Sequence, residues 1–259
     1  MKHTFYKYQG TGNDFIIIDN RLKLFDKNNT KLIEELCDRR FGIGADGLIL
    51  LEDHNVANFK MIYFNSDGNE STMCGNGGRC IVAFAKYLGI IENKALFEAI
   101  DGLHDALIEE DLIHLKMQDV VNVEANQNFV VLDTGSPHYV CLKSKVNDVD
   151  VKTEGAKVRY SNPFTKSGIN VNFVEKINDN YFAVRTYERG VEDETLSCGT
   201  GVTAVALAMH YIGETEKNHI KLKTKGGKLQ IKYNQENERY NDIWLIGPAT
   251  FVYKGEIEC

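Results

Sequence analysis

The sequence predicts an α/β (α+β) protein of two pseudo-symmetric lobes, each a curved, mostly antiparallel sheet wrapped around a central helix. Three observations carry that expectation. Short β-rich runs bounded by Gly, Asn and Asp recur along the whole chain. Two segments of helical composition, Ile81-Val82-Ala83-Phe84-Ala85 and Val202-Thr203-Ala204-Val205-Ala206-Leu207-Ala208, are small and apolar on nearly every side, as a helix enclosed by a sheet must be. The context of the first segment returns in the second half of the chain.

In chain order, strands are expected at Phe15–Asp19, Leu48–Glu52, Phe59–Asn65, Phe129–Leu132, Tyr139–Leu142, Val171–Val174 and Tyr181–Glu188. Later ones are expected at His219–Leu222, Lys228–Tyr233, Ile243–Ile246 and Thr250–Tyr253. Leu32, Ile33, Leu36 and Cys37 recur at helical period, which predicts a helix over Lys31–Arg40. Further helices are expected at Gly77–Leu88 and Gly201–Ile212, each after a glycine-rich turn. The lobes are expected at residues 1–117, with 248–259 returning to them, and at 118–247.

The repeat is specific. Cys74-Gly75-Asn76-Gly77 reappears as Cys198-Gly199-Thr200-Gly201, 124 residues on, and Asp46 meets Asn170 at the same spacing. Thr11-Gly12-Asn13-Asp14-Phe15 resembles Thr134-Gly135-Ser136-Pro137-His138 at a spacing of 123. If the lobes are related by a pseudo-twofold, the two cysteines face each other across the cleft between them.

Composition excludes several classes of function. With 30 basic and 37 acidic side chains, the formal charge is −7, and no basic cluster offers a footprint for nucleic acid or anionic membrane. No apolar run approaches the ~20 residues of a membrane span, and the start of the chain lacks a signal-peptide core. A reducing, cytoplasmic setting is therefore expected, with free thiols as the default for the six cysteines. No C-x-x-C pair or Cys/His cluster has zinc-ligand spacing, so no metal is expected. Gly42-Ile43-Gly44-Ala45-Asp46-Gly47 fits G-x-G-x-x-G, but a helical pattern precedes it and a strand follows, the reverse of a dinucleotide site.

A cysteine at a helix mouth sits among unpaired N–H groups and at the positive end of the helix dipole, which favours its thiolate. Two such thiols on opposite faces of an amino-acid α-carbon could remove a proton from one side and deliver one to the other. The same helix ends could hold the substrate carboxylate as negative charge develops, without an electron-sink cofactor. Cys37, Cys80, Cys141 and Cys259 lack a glycine-rich helix mouth and read as small buried hydrophobes.

These residues resemble one family, diaminopimelate epimerase. The matching stretches are Gly12-Asn13-Asp14-Phe15, Gly42-Ile43-Gly44-Ala45-Asp46, Phe64-Asn65-Ser66-Asp67-Gly68 and Met73-Cys74-Gly75-Asn76-Gly77-Gly78-Arg79-Cys80. They continue with Gly135-Ser136-Pro137-His138, Asn170, Tyr187-Glu188-Arg189-Gly190, Cys198-Gly199-Thr200-Gly201 and Gly247-Pro248-Ala249. The resemblance implies a cofactor-independent epimerase converting LL-diaminopimelate to the meso form, for lysine and cell-wall synthesis. It implies Cys74 and Cys198 as the acid/base pair, with Gly75, Asn76, Gly199 and Thr200 holding the carboxylate at the reacting centre. Asn13 and Glu188 would serve that end too. Asn65, Asn170 and Arg189 would recognise the distal centre, while His138 and Glu188 would tune the thiols or orient the ammonium group. The implied partner is a small dicarboxylic diamino acid, and the implied assembly a homodimer.

The chain departs from the family pattern in three places. Gly47 stands where glutamine is common, Ser136 stands where asparagine precedes Pro-His, and the Glu188–Cys198 segment is one residue longer, with Glu192-Asp193-Glu194 inside it. Two rivals share the residues. Proline racemase uses the same two-thiol logic but usually has histidine at the place of Asn76. A redox switch would instead join Cys74 and Cys198 reversibly.

Overall fold

A computed structural model describes residues 2–258 of the chain. The chain divides into two compact units. One runs to Leu115 and resumes at Gly247, and the other is Lys116–Ile246. The structure is dominated by strands, with few helices.

The first unit opens with β1 (Lys2–Gly10) and β2 (Asn13–Asp19), an antiparallel pair. Helix α1 (Thr30–Cys37) then crosses over to β3 (Gly47–Glu52), which lies parallel to β2. Strand β4 (Phe59–Asn65) returns antiparallel to β3. Helix α2 (Gly75–Tyr87) crosses over to β5 (Lys94–Ala99), parallel to β4, and β6 (Gly102–Glu109) and β7 (Leu112–Lys116) follow as antiparallel neighbours. A parallel joint needs a long crossover, and each one here contains a helix.

The second unit repeats this order of pairings. Strand β8 (Val123–Ala125) precedes β9 (Val130–Asp133) and β10 (Pro137–Leu142), each antiparallel to the one before. Helix α3 (Val151–Arg159) leads to β11 (Asn170–Asn178), parallel to β10, and β12 (Tyr181–Glu188) returns antiparallel. After β13 (Asp193–Thr195), helix α4 (Gly199–Tyr211) crosses over to β14 (His219–Thr224), parallel to β12. Strands β15 (Gly227–Glu236) and β16 (Arg239–Gly247) complete the antiparallel run. The last strand, β17 (Thr250–Glu258), pairs antiparallel with β1 of the first unit.

The side-chain pattern of β2 and β3 follows from burial on both faces. Ile16, Ile18, Leu48 and Leu50 join Ile33, Leu36 and Cys37 of α1 in one cluster. On the opposite face, the backbone of Gly77 in α2 stands so close to Ile49, Met61 and Phe15 that a Cβ there would lie 3.1–3.5 Å from their side chains. In the second unit, Val171, Phe173 and Tyr187 pack with Val151 of α3, while α4 contacts β9, β10, β11, β12, β14 and β15. From Val202 to Met209 every residue of α4 is buried, which is why that helix is apolar all round.

Both central helices start two residues before the expected Gly77 and Gly201. Gly75 and Gly199 already take helical geometry, so Cys74 and Cys198 become the N-cap residues, with extended backbone at φ −104° and −124°. The helix expected over Lys31–Arg40 ends at Cys37, because Asp38 turns extended and its carboxylate accepts from the N–H groups of Arg40 and Phe41. Helix α1 precedes strand β3, so the glycine-rich loop has the order opposite to a dinucleotide site. Among the described residues, no helix is long and apolar enough to cross a membrane.

Candidate active site

In the first unit, Cys74 caps α2 without a side-chain cap of its own. Its Sγ donates to Oδ1 of Asn13 at 3.6 Å, and Nδ2 of Asn76 donates to the same oxygen at 3.2 Å. The Asn13 amide is fixed from behind, because its Nδ2 donates to Oδ2 of Asp46 at 2.6 Å. Arg39 bridges Asp46 and Asp14 at 2.8 and 2.6 Å, and Lys7 pairs with Asp14 at 2.7 Å. Burial alone would raise the Asp14 carboxyl, but hydrogen bonds from Arg39 and Lys7 overcome it and hold the group at about 2.

Under the helix mouth lies Arg79, fully buried. Its guanidinium donates to the carbonyls of Gly75 and Pro248 at 3.1 and 3.3 Å, to Oδ1 of Asn76 at 3.0 Å and to the Thr11 hydroxyl at 3.3 Å. The planar fork reaches four acceptors at once and fixes the loop that carries Cys74. Burial pulls its pKa down, and the neighbouring cysteines pull it back up. Gly10 permits this approach, since a Cβ there would meet Asn76 O at 3.1 Å and Arg79 Nη2 at 3.2 Å.

The second unit presents Cys198 at the equivalent N-cap of α4. Its Sγ lies 3.4 Å from Oγ1 of Thr200, which lies 3.2 Å from Oγ of Ser136. Ser136 Oγ is 3.1 Å from Nε2 of His138, and His138 Nδ1 is 3.1 Å from Nδ2 of Asn172. Asn172 also donates to the Tyr139 carbonyl at 3.1 Å and accepts from the Thr186 hydroxyl at 2.9 Å. His138 is completely buried, and burial, with a smaller effect from Arg189, pushes its pKa down to about 3, so the ring is neutral.

Asn170 opens β11 and its amide is engaged on both sides. Nδ2 donates to Ser136 Oγ at 3.1 Å and to the Pro137 carbonyl at 3.2 Å, while Oδ1 accepts the Arg189 N–H at 2.9 Å. Arg189 is exposed just past the end of β12 and donates through Nη1 to the Ser167 carbonyl at 2.8 Å. Glu188 is the half-buried last residue of β12. Asn65 is exposed at the end of β4, opposite Gly47.

The three departures have local explanations. A Cβ at Gly47 would stand 2.5 Å from the Phe64 carbonyl and 2.6 Å from the Tyr63 ring, so no side chain fits there. Ser136 is the middle of the chain of groups from His138 to Thr200. The acidic stretch of the longer segment is neutralised within its own unit. Glu192 accepts from the Tyr187 hydroxyl and the Gly190 N–H and pairs with Arg159, Asp193 pairs with Lys152, and Glu194 pairs with Arg185 and Lys225.

Cys37, Cys80 and Cys141 are buried free thiols whose pKa values burial pushes up to about 12, 12 and 11. Cys259 lies outside the described residues. Asn172, Thr186 and the bridging Arg39 do not stand out in the sequence, whereas Asp14 and Asp46 fall in the matching stretches. The polar alternation Asn170-Val171-Asn172 was the available signal for Asn172, because residues two apart share a face of a strand.

Solved structures share this fold over nearly the whole chain. A Bacillus anthracis phenazine biosynthesis protein of the PhzF family superposes with a TM-score of 0.78 at 13 % identity, covering all of both chains. A hydroxyproline epimerase from Agrobacterium vitis superposes with a TM-score of 0.69 at 14 % identity, over 99 % of this chain and 92 % of that one. Residues 5–121 and 130–252 match the family described as diaminopimelate epimerase. A diaminopimelate epimerase of Flavobacterium psychrophilum is 60 % identical over 97 % of this chain and 99 % of its own length. One from Chlorobaculum tepidum is 43 % identical over 96 % and 98 %. The chain belongs to the diaminopimelate epimerase family.

Proposed function

We propose that this protein interconverts LL-2,6-diaminopimelate and meso-diaminopimelate, without cofactor or metal, in the supply of lysine and of peptidoglycan precursors. The observation that carries the proposal is the equivalence of Cys74 and Cys198. Each is the N-cap of a buried, glycine-started helix at the same step of a repeated chain of strand pairings. Family membership supplies the substrate.

In this account one α-carbon of the substrate is held between the two sulfurs. A thiolate takes the Cα proton as the C–H bond breaks, and the electron pair stays on the substrate, spread into its carboxylate. The opposite thiol gives its proton to the other face, so the configuration inverts and the two sulfurs exchange protonation states. The helix ends at Gly75-Asn76 and Gly199-Thr200 hold the carboxylate, and their N–H groups stabilise the charge that develops on it. Asn13 and Glu188 assist at that centre, and His138 and Glu188 set the thiols or orient the ammonium group. Asn65, Asn170 and Arg189 recognise the distal centre, where an arginine fork suits a carboxylate.

The proposal includes a homodimer working in the cytoplasm. Its direct test is an assay with LL-diaminopimelate under reducing conditions and without added cofactor, coupled to a dehydrogenase that consumes only the meso form. Turnover supports the reading. Activity on proline with none on diaminopimelate overturns it.

A further inference from the structure

The hydrogen bonds of the second unit give the chain of groups at Cys198 a direction. The Asn172 amide can be oriented only one way, because its Nδ2 faces the Tyr139 carbonyl and its Oδ1 faces the Thr186 hydroxyl. Nδ2 therefore donates to His138 Nδ1, and the neutral ring must carry its proton on Nε2. That proton points at Ser136 Oγ.

The Asn170 amide is fixed in the same way by the Pro137 carbonyl and the Arg189 N–H, so it too donates to Ser136 Oγ. Ser136 now accepts twice, which leaves its single proton for Thr200 Oγ1. Thr200 accepts from Ser136, so its own proton is available to the Cys198 sulfur 3.4 Å away.

At Cys74 the direction is the opposite. Asn13 Oδ1, held in place by the bond from Nδ2 to Asp46, can only accept, so the sulfur donates to it.

We propose that Ser136 is a positioning residue which, through Thr200, keeps a hydroxyl donor aimed at Cys198, so that in the resting protein Cys198 is the thiolate and Cys74 the thiol. A sulfur that receives a directed O–H is stabilised as an anion, and a sulfur that must donate is stabilised as a thiol.

Other charged groups face these sites. On the Cys198 side Arg189, just past β12, acts on His138, while the Asp133 carboxylate of β9 accepts from the Gly135 N–H. His210 and Tyr233 pack together at the far end of α4, about 18 Å along the helix from Cys198. On the Cys74 side, Arg79 favours the anion electrostatically, while its donors point to Gly75, Thr11, Asn76 and Pro248. Asp14 and Asp46 beyond Asn13 oppose it.

The assignment explains why serine suffices where the family commonly has asparagine. Its hydroxyl accepts twice and passes its one proton onward to Thr200. The role of this polarity in turnover rests on the epimerase reading. The state of the resting sulfurs does not.

The test is alkylation of the substrate-free protein by iodoacetamide as a function of pH, with each cysteine followed by peptide mass mapping. The midpoint for Cys198 is expected below that for Cys74, although Cys74 is the more exposed of the two. Ser136→Ala is expected to raise the Cys198 midpoint by about one pH unit and leave that of Cys74 in place, and Ser136→Thr to restore it. Thr200→Val, which removes the terminal donor, is expected to raise it at least as far. A lower midpoint for Cys74, or a Cys198 midpoint unmoved in both Ser136→Ala and Thr200→Val, overturns the proposal. Absence of epimerisation by the wild-type protein would instead overturn the functional reading and leave these midpoints to be judged on their own.

Discussion

The ideal Cβ position of Gly201 lies 2.7 Å from Oδ1 of Asn172, and 3.3 Å from the Cys198 sulfur. Helix α4 can enter the sheet at this depth only because the third residue of its first turn has no side chain. The same closeness brings the helix N-terminus, with its cysteine, down onto the polar groups of β10 and β11.

Gly201→Ala therefore forces Asn172 away from Thr186 and His138. The expected result is a loss of about 1–3 kcal/mol in urea unfolding, typical of overpacking, with at least a tenfold fall in turnover. Gly190, whose added Cβ would meet nothing within 4 Å but whose φ is +92°, offers a contrast. Gly190→Asn, a residue that tolerates that backbone, is expected to leave stability within about 0.5 kcal/mol.

Arg79→Lys keeps a positive charge but loses the fork. One ammonium cannot reach Gly75 O, Asn76 Oδ1, Thr11 Oγ1 and Pro248 O together, so hydrogen bonds from a charged donor are lost at about 1.5–3 kcal/mol each. Lower stability by about 2 kcal/mol or more is expected in denaturant titrations. Unchanged stability and activity would show that the fork does not organise the Cys74 loop.

His138 makes the fold sensitive to mild acid. Its pKa is pushed down from 6.5 to about 3 by burial, so the unfolded chain takes up a proton that the folded protein refuses. Its contribution to stability is complete above pH 6.5 and is lost progressively as pH falls from there toward about 3. Urea midpoints measured across that window are expected to fall less steeply in His138→Gln than in the wild type. Parallel slopes would contradict a neutral buried ring.

Much of this was legible in the sequence. Phe59–Asn65 and Tyr181–Glu188 are strands with the expected bounds, because β-branched and aromatic residues there meet clear turn signals. The paired Cys-Gly-x-Gly stretches pointed to two buried helices, and the structure contains them. What was missed follows from packing that composition does not display. Helix α3 has only Val151 and Gly155 buried, and Gly155 sits in its middle because a Cβ there would lie 2.4 Å from Tyr187. A glycine inside a mostly polar stretch argues against a helix until the aromatic ring on it is known. Strands β5, β6 and β7 alternate buried and exposed positions with charged residues among them, so none stood out as an apolar run. The polarity of the Cys198 network was beyond the sequence as well, since it depends on which way two asparagine amides are turned.

The pairing of Cys74 with Cys198 is tested most directly by incubating LL-diaminopimelate in deuterated water with the wild-type protein, Cys74→Ala and Cys198→Ala, and locating deuterium by NMR. With the wild type, deuterium should enter one α-carbon only, the one whose configuration inverts, and neither variant should form the meso isomer. Formation of the meso isomer at an undiminished rate by either variant would contradict the account.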